Sequence, residues 1–163
     1  MRRNVLLLAF AAMPSLSNGA SLCQKGEVDY FSCKIQDSAK SMSLCGSDLR
    51  ADGAIGPSAW LQYRVGIVGR LELVYPATQQ PLLPNFKGDA IVTRDSAVYG
   101  VSFKREQTEY ALILAPGNLF VGTTSPSGQS KVICGEDQSN ANEPRFARFK
   151  VLAKELGKRI VPK

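Results

Sequence analysis

Four cysteines carry most of the reactive chemistry of this chain: Cys23, Cys33, Cys45 and Cys134. Around them stand 14 carboxylates and 20 lysines and arginines, and there is no histidine. That removes any Ser-His-Asp or Cys-His apparatus within the chain, and with it the commonest metal ligand. No lysine lies three residues after a serine, and there is no G-x-S-x-G, Walker loop or G-x-G-x-x-G. The spacing C-x9-C-x11-C is not that of a zinc finger. A carboxylate pair of the glycosidase kind remains, but nothing in the placement of Glu27, Asp29, Glu72, Asp89, Asp95, Glu106 and Glu109 marks two of them as partners. The chain therefore reads as a non-enzyme that calls for no metal and no cofactor.

The cysteines read instead as disulfides. Residues 1–20 have the order of a secretory leader: Arg2 and Arg3, an apolar run over residues 5–13, then small and polar residues with cleavage expected near Gly19 or Ala20. The apolar run is far shorter than the ~20 residues of a membrane-spanning helix. Leu22 stands where lipoprotein processing at Cys23 wants a small residue. Export places all four cysteines in an oxidising compartment, periplasmic or secreted. Four cysteines allow three pairings. Cys33 and Cys45 sit nearly symmetrically about the polar residues 36–40, which favours Cys33–Cys45 and leaves Cys23–Cys134 to tie the ends together.

The elements that must hold these residues read as antiparallel β. Roughly 140 residues remain after the leader, enough for one domain with a core. Strands are expected over residues 28–35 and 41–45. A hairpin follows over 60–65 and 71–75, with 66–70 as its loop, Tyr63 facing Leu73 and Leu61 facing Tyr75. Residues 76–88 hold three prolines and read as an extended loop, followed by a short strand over 90–93. A second hairpin joins 97–103 to 108–115, matching Tyr99, Val101 and Phe103 to Leu114, Leu112 and Tyr110. Further strands cover 119–123 and 129–134. The whole is mainly β, a small antiparallel barrel or sandwich of about eight strands. The division is leader 1–20, β-domain 21–135, polar linker 136–144 and basic helix 145–159. In that helix Phe146, Phe149, Leu152, Ala153 and Leu156 recur on one side, with Pro144 at its start and Gly157 at its end. Its expected place is against the β-body.

The net charge of +6 falls to about +4 when Arg2 and Arg3 leave with the leader. Export makes nucleic acid a poor partner. The helix cations Arg145, Arg148, Lys154 and Lys158 offer a weak contact to an anionic membrane surface. Two other surfaces could bind a protein: the polar side of the first hairpin, with Gln62, Arg64 and Glu72, and the tip Lys104-Arg105-Glu106, flanked by Tyr99 and Tyr110. Trp60 reads as a core anchor.

The strings Tyr30-Phe31-Ser32-Cys33, Ser43-Leu44-Cys45-Gly46-Ser47, Leu61-Gln62-Tyr63-Arg64 and Leu71-Glu72-Leu73-Val74-Tyr75-Pro76 resemble a group of uncharacterised exported proteins of Gram-negative bacteria. The likeness covers residues 23 to about 76, runs on loosely to Cys134, and implies a periplasmic setting. A fainter one, on Tyr30-Phe31-Ser32-Cys33 and Cys134, is similar to the periplasmic inhibitors of C-type lysozyme, compact β-barrels whose functional loop joins a serine segment to a nearby lysine. That resemblance implies Ser96-Ala97-Val98-Tyr99, with Lys104, as the partner-binding segment, although the Ser-Gly pair of that loop is missing, and Arg105 joins them from the charged hairpin tip. The expectation is a periplasmic non-enzymatic binding protein acting on another exported protein, as an inhibitor or immunity protein does. The alternatives are an envelope-associated structural protein docked by its basic helix and a carboxylate-dependent hydrolase.

Overall fold

The computed structural model describes residues 21–50, 52–116, 118–135 and 146–158. The leader, the 136–144 linker, Arg145 and Arg159 lie outside them. Among the described residues, nine strands form two antiparallel meanders. The first sheet, in the order β1-β2-β3-β4, holds β1 (Val28–Lys34), β2 (Ser41–Gly46), β3 (Leu61–Ile67) and β4 (Arg70–Tyr75). The second, in the order β5-β6-β7-β8-β9, holds β5 (Phe86–Val92), β6 (Ala97–Arg105), β7 (Thr108–Ala115), β8 (Asn118–Ser125) and β9 (Gly128–Ile133). They stay separate sheets and form a sandwich rather than a closed barrel.

Aromatic rings join the two layers. Tyr63 of β3 meets Phe103 of β6 at 5.2 Å between ring centroids, and Tyr75 of β4 stacks on Phe103 at 4.7 Å and 14°. Tyr110 stacks on the other flank of Phe103 at 4.9 Å and 2°. Each such pair adds about 0.5–1.5 kcal/mol beyond the area it buries. Burial within this cluster pushes the Tyr63 phenol well above its ordinary pKa, with a smaller contribution from Tyr110. The β6–β7 register is the expected one: Tyr99 opposes Leu114, Val101 opposes Leu112, and Phe103 opposes Tyr110.

The first hairpin departs from its expected register by two residues. Tyr63 opposes Tyr75 and Val65 opposes Leu73, because the two-residue turn at Val68-Gly69 moves the pairing by one residue and a bulge between Val65 and Gly66 moves it by one more. A shift of two keeps the same side chains on the same face. The bulge sets Gly66 opposite Leu71, and Leu71 leaves the core, 41 % exposed. Gly66 has φ +152, and a Cβ there would meet the Arg70 carbonyl oxygen at 2.4 Å, so glycine is required.

Two more expectations are corrected. The stretch 76–88 is not loop throughout: a short turn, α1 (Leu82–Asn85), precedes β5, which begins at Phe86. Trp60 is half-buried and bridges Pro81 rather than anchoring the core.

The disulfides are Cys23–Cys45 and Cys33–Cys134, not the expected Cys33–Cys45 and Cys23–Cys134. The β1–β2 register gives the reason. Cys33 opposes Met42 and Cys45 opposes Asp29, with a bulge between Asp29 and Phe31. Cys33 therefore faces the core with Met42, while Cys45 shares the outer face with Ser43. Cys33–Cys134 links the two sheets where Ile35 bridges Cys134 and where the Gln36 and Gly135 amides donate to the Ile133 and Lys34 carbonyls at 3.0 and 2.9 Å. Two disulfides fit an oxidising, extracellular-type compartment. Among the described residues, no helix is long and apolar enough to cross a membrane.

The C-terminal helix α2 (Ala147–Gly157) closes the open side of the sandwich between β1 and β5. Phe149, Leu152, Ala153 and Leu156 are fully buried, as is Phe146 just before them, and Phe149 meets Phe31 at 5.5 Å. Gly88 of β5 makes the close approach possible, since a Cβ there would lie 2.2 Å from the Ala153 carbonyl oxygen. At the other end Arg148 pairs with Asp48 at 2.6 Å. Nearby, burial and the Asp48 charge push the Tyr30 phenol up to about 12, and its hydroxyl donates to the Ser47 carbonyl.

Candidate functional site

The polar side of the first hairpin is the first surface to test, and it is not a surface. Gln62 and Arg64 are 6 % and 3 % exposed. Residues 21–27 cross the outer face of the first sheet and cover them. Arg64 grips Glu27 with two hydrogen bonds, Nη1 to Oε2 at 2.6 Å and Nη2 to Oε1 at 2.8 Å. The guanidinium also donates to the Leu22 carbonyl at 3.1 Å and to Gln62 Oε1 at 2.7 Å, and Gln62 Nε2 donates to the Pro76 carbonyl at 3.0 Å. The Leu22 amide donates to Ser43 Oγ at 2.9 Å, and Cys23–Cys45 pins the segment. Burial raises the Glu27 pKa, but hydrogen bonds from Arg64 and the Gln24 amide, with the Arg64 charge, outweigh it and leave the carboxyl below its usual value. Only Glu72 of that trio is exposed, paired with Lys40 at 2.6 Å. The face is a sealed structural network. Cys23, Glu27 and Cys45 lie close enough to hold a metal, but both sulfurs are committed to their disulfide.

The residues offered as partner-binding are not brought together. Ser96 stands in the β5–β6 turn and Lys104 near the far end of β6, on the order of 25 Å away at ~3.3 Å per residue. Tyr99 is 9 % exposed beneath α2, with the Lys150 and Lys154 ammonium groups 5.8 and 5.6 Å from its ring centroid. It packs; it does not present. Tyr110 is half-buried in the inter-sheet stack. Arg105 is exposed at the hairpin tip, 4.0 Å from Glu106.

Lys104 does join a site. β5 begins at Phe86, opposite Phe103, so the edge of β6 beyond Phe103 has no strand beside it. α1 stops short of that gap and leaves a notch of about 300 Å³. Tyr75 and Phe103 supply an aromatic floor, Pro84 and Asn85 one wall, and Lys87, Ser102, Lys104 and Glu109 the outer lip. Lys87 opposes Ser102 and Lys104 opposes Glu109 in the sheet, so two cations and one carboxylate border a stacked pair of rings. An acidic or aromatic side chain from a partner would find both charge and ring contact here. The notch holds a single carboxylate, Glu109, where glycoside hydrolysis needs two.

Sequence reasoning reached Lys104 and missed Tyr75, Asn85, Lys87, Ser102 and Glu109 as its neighbours. The alternation in β6 and β7 was a usable signal for Ser102 and Glu109. Nothing local foretold that α1 would stop beside β6. No family model, no curated protein and no solved structure matches the chain.

Proposed function

We propose that this is an exported, non-enzymatic binding protein of the periplasm that holds another exported protein, in the manner of an inhibitor or an immunity protein. The observation that carries the reading is the notch, an aromatic floor between Lys87 and Lys104 on a rigid sheet edge, next to the exposed tip Lys104-Arg105. The contact we assign to it is an acidic loop of the partner. Export is supported by the leader pattern and by two disulfides. Leader cleavage near Gly19 or Ala20 agrees with the burial of Leu22, whose amide is tied to Ser43. Cys23, bonded to Cys45, is not free for lipidation. For the envelope-docking alternative, α2 offers charge without an apolar face, because its apolar side lies in the core.

Affinity capture tests the reading. The mature protein is immobilised and exposed to periplasmic extract and to lysozyme-type hydrolases, beside a Lys104→Glu, Arg105→Glu variant. The expected result is one discrete protein retained by the wild type and lost with the variant. Capture that survives both substitutions removes the notch and tip from the account.

A further inference from the structure

The outer face of the second sheet carries an apolar patch beyond the notch, which takes only Lys87, Ser102, Lys104 and Glu109 from that face. Beyond Glu109, β7 is apolar on both sides: Leu112 and Leu114 point into the core, while Ala111, Ile113 and Ala115 are half-buried on the outside. Across the sheet the register aligns Gly100, Ile113, Phe120 and Ile133 in one outer row. The next outer row aligns Ser102, Ala111, Gly122 and Lys131. The first row ends in large side chains and the second is nearly flat, and Lys131 lies back over the Phe120 ring at 4.0 Å. Ile91 and Ile133 at the two margins are 59 % and 47 % exposed. A strand buried on one side only alternates apolar with polar, so a strand apolar on both sides belongs between two packed layers.

We propose that this face is the interface of a homodimer in which two copies pack sheet against sheet about a two-fold axis lying between these rows. Such an axis sets the large row of one copy over the flat row of the other. Phe120 then enters the hollow above Gly122 of the second copy, and Ile113 lies over its Ala111. The same operation brings Asp89, which continues the large row on β5, within reach of Lys87, which continues the flat row. Size and charge are thus self-complementary, as an isologous contact requires. Five strands about 4.8 Å apart and about seven residues long present a face of roughly 20 by 23 Å. Two such faces bury on the order of 1,000 Å², at the lower end for a specific association. The occupant is not a described segment of this chain: α2 sits between the sheets, and residues 21–27 lie on the other one. Of the stretches outside the described residues, the leader 1–20 is expected to be absent from the mature protein, 136–145 is polar and 159–163 holds only Ile160 and Val161 as large apolar residues. The notch lies at the margin of this face and shares Lys87 and Ser102 with it, but the apolar contact rests on Ile113, Phe120, Gly122 and Ile133, none of which lines the notch.

Sedimentation velocity on the mature protein tests it, with melting temperature measured in parallel. The wild type is expected to be a dimer at about 100 μM and to dissociate towards low micromolar concentration. Gly122→Glu fits the isolated fold, because a Cβ there would have its nearest neighbour, the Ala111 carbonyl oxygen, at 4.0 Å. In the dimer it fills the hollow, and it should weaken association by about 30- to 100-fold, with the melting temperature unchanged at low micromolar concentration, where the wild type is itself dissociated. Ile133→Glu, at an exposed position, should act in the same direction. Asp89→Lys should weaken the dimer, and Lys87→Asp with Asp89→Lys should restore it. A wild type that is monomeric at about 100 μM overturns the proposal, whether or not this face then captures another protein or binds phosphatidylglycerol vesicles. Dimers of Gly122→Glu as tight as those of the wild type overturn it equally.

Discussion

The outer face of the first sheet carries Ser41, Ser43, Gln62 and Arg64, all buried, while the outer face of the second leaves Ile91 and Ile133 open to water. The polar face of the first sheet is covered, while an apolar patch on the outer face of the second is bare. Residues 21–27 make the difference. They bring Glu27 to Arg64 and Leu22 to Ser43, so every strong hydrogen-bonding group placed there gains a partner except the Ser41 hydroxyl. Polar residues can thus build an interior when a segment of the chain is shaped to satisfy them. Apolar residues on an uncovered sheet point instead to a layer supplied from outside.

The comparison can be broken first at Arg64. Arg64→Ala leaves Glu27 buried without its cation, and denaturant unfolding should show a loss of about 3–5 kcal/mol. Cys23→Ser with Cys45→Ser releases the same segment from the sheet and should cost about 3 kcal/mol by loop entropy. A smaller effect follows from acid. The folded pKa of Glu27 lies below its unfolded value near 4.5, so its contribution is fully present above that value and lost as pH falls through the folded pKa. Wild-type stability should therefore fall below about pH 4.5 more steeply than that of an Arg64→Ala variant, read from urea midpoints across that range. Gly88→Val drives a side chain into the Ala153 carbonyl; it should undock α2 and expose it to limited proteolysis while the disulfides stay formed. The smallest stability effect belongs to the second sheet: Ile133→Glu should change the unfolding free energy of the monomer by no more than about 0.5 kcal/mol.

The sequence revealed what local periodicity controls. Alternation over 97–103 and 108–115 gave the β6–β7 register residue for residue, and helical spacing from Phe146 to Leu156 gave the buried side of α2. The first hairpin was read two residues out because Gly66 suggested a loop where it makes a bulge. The disulfides were misread because the β1–β2 turn centres between Asp37 and Ser38, which sets Cys33 opposite Met42 and leaves Cys45, three residues on, on the other face of β2. Gln62 and Arg64 were taken as surface because their alternation says only which side of the strand they are on. What covers that side comes from residues 21–27, 42 positions away from Arg64 at Leu22. The site was less legible than the fold. Lys104 was found, but Ser96 and Tyr99 were tied to it by nearness in sequence, which an extended strand turns into distance.

Hydroxyl-radical footprinting of the dilute mature protein tests the contrast between the two outer faces most directly. The account predicts strong labelling at Ile91 and Ile133, falling as concentration rises, with Leu22, which lies over the outer face of the first sheet, protected throughout. Labelling of Leu22 equal to that of Ile133 would contradict it.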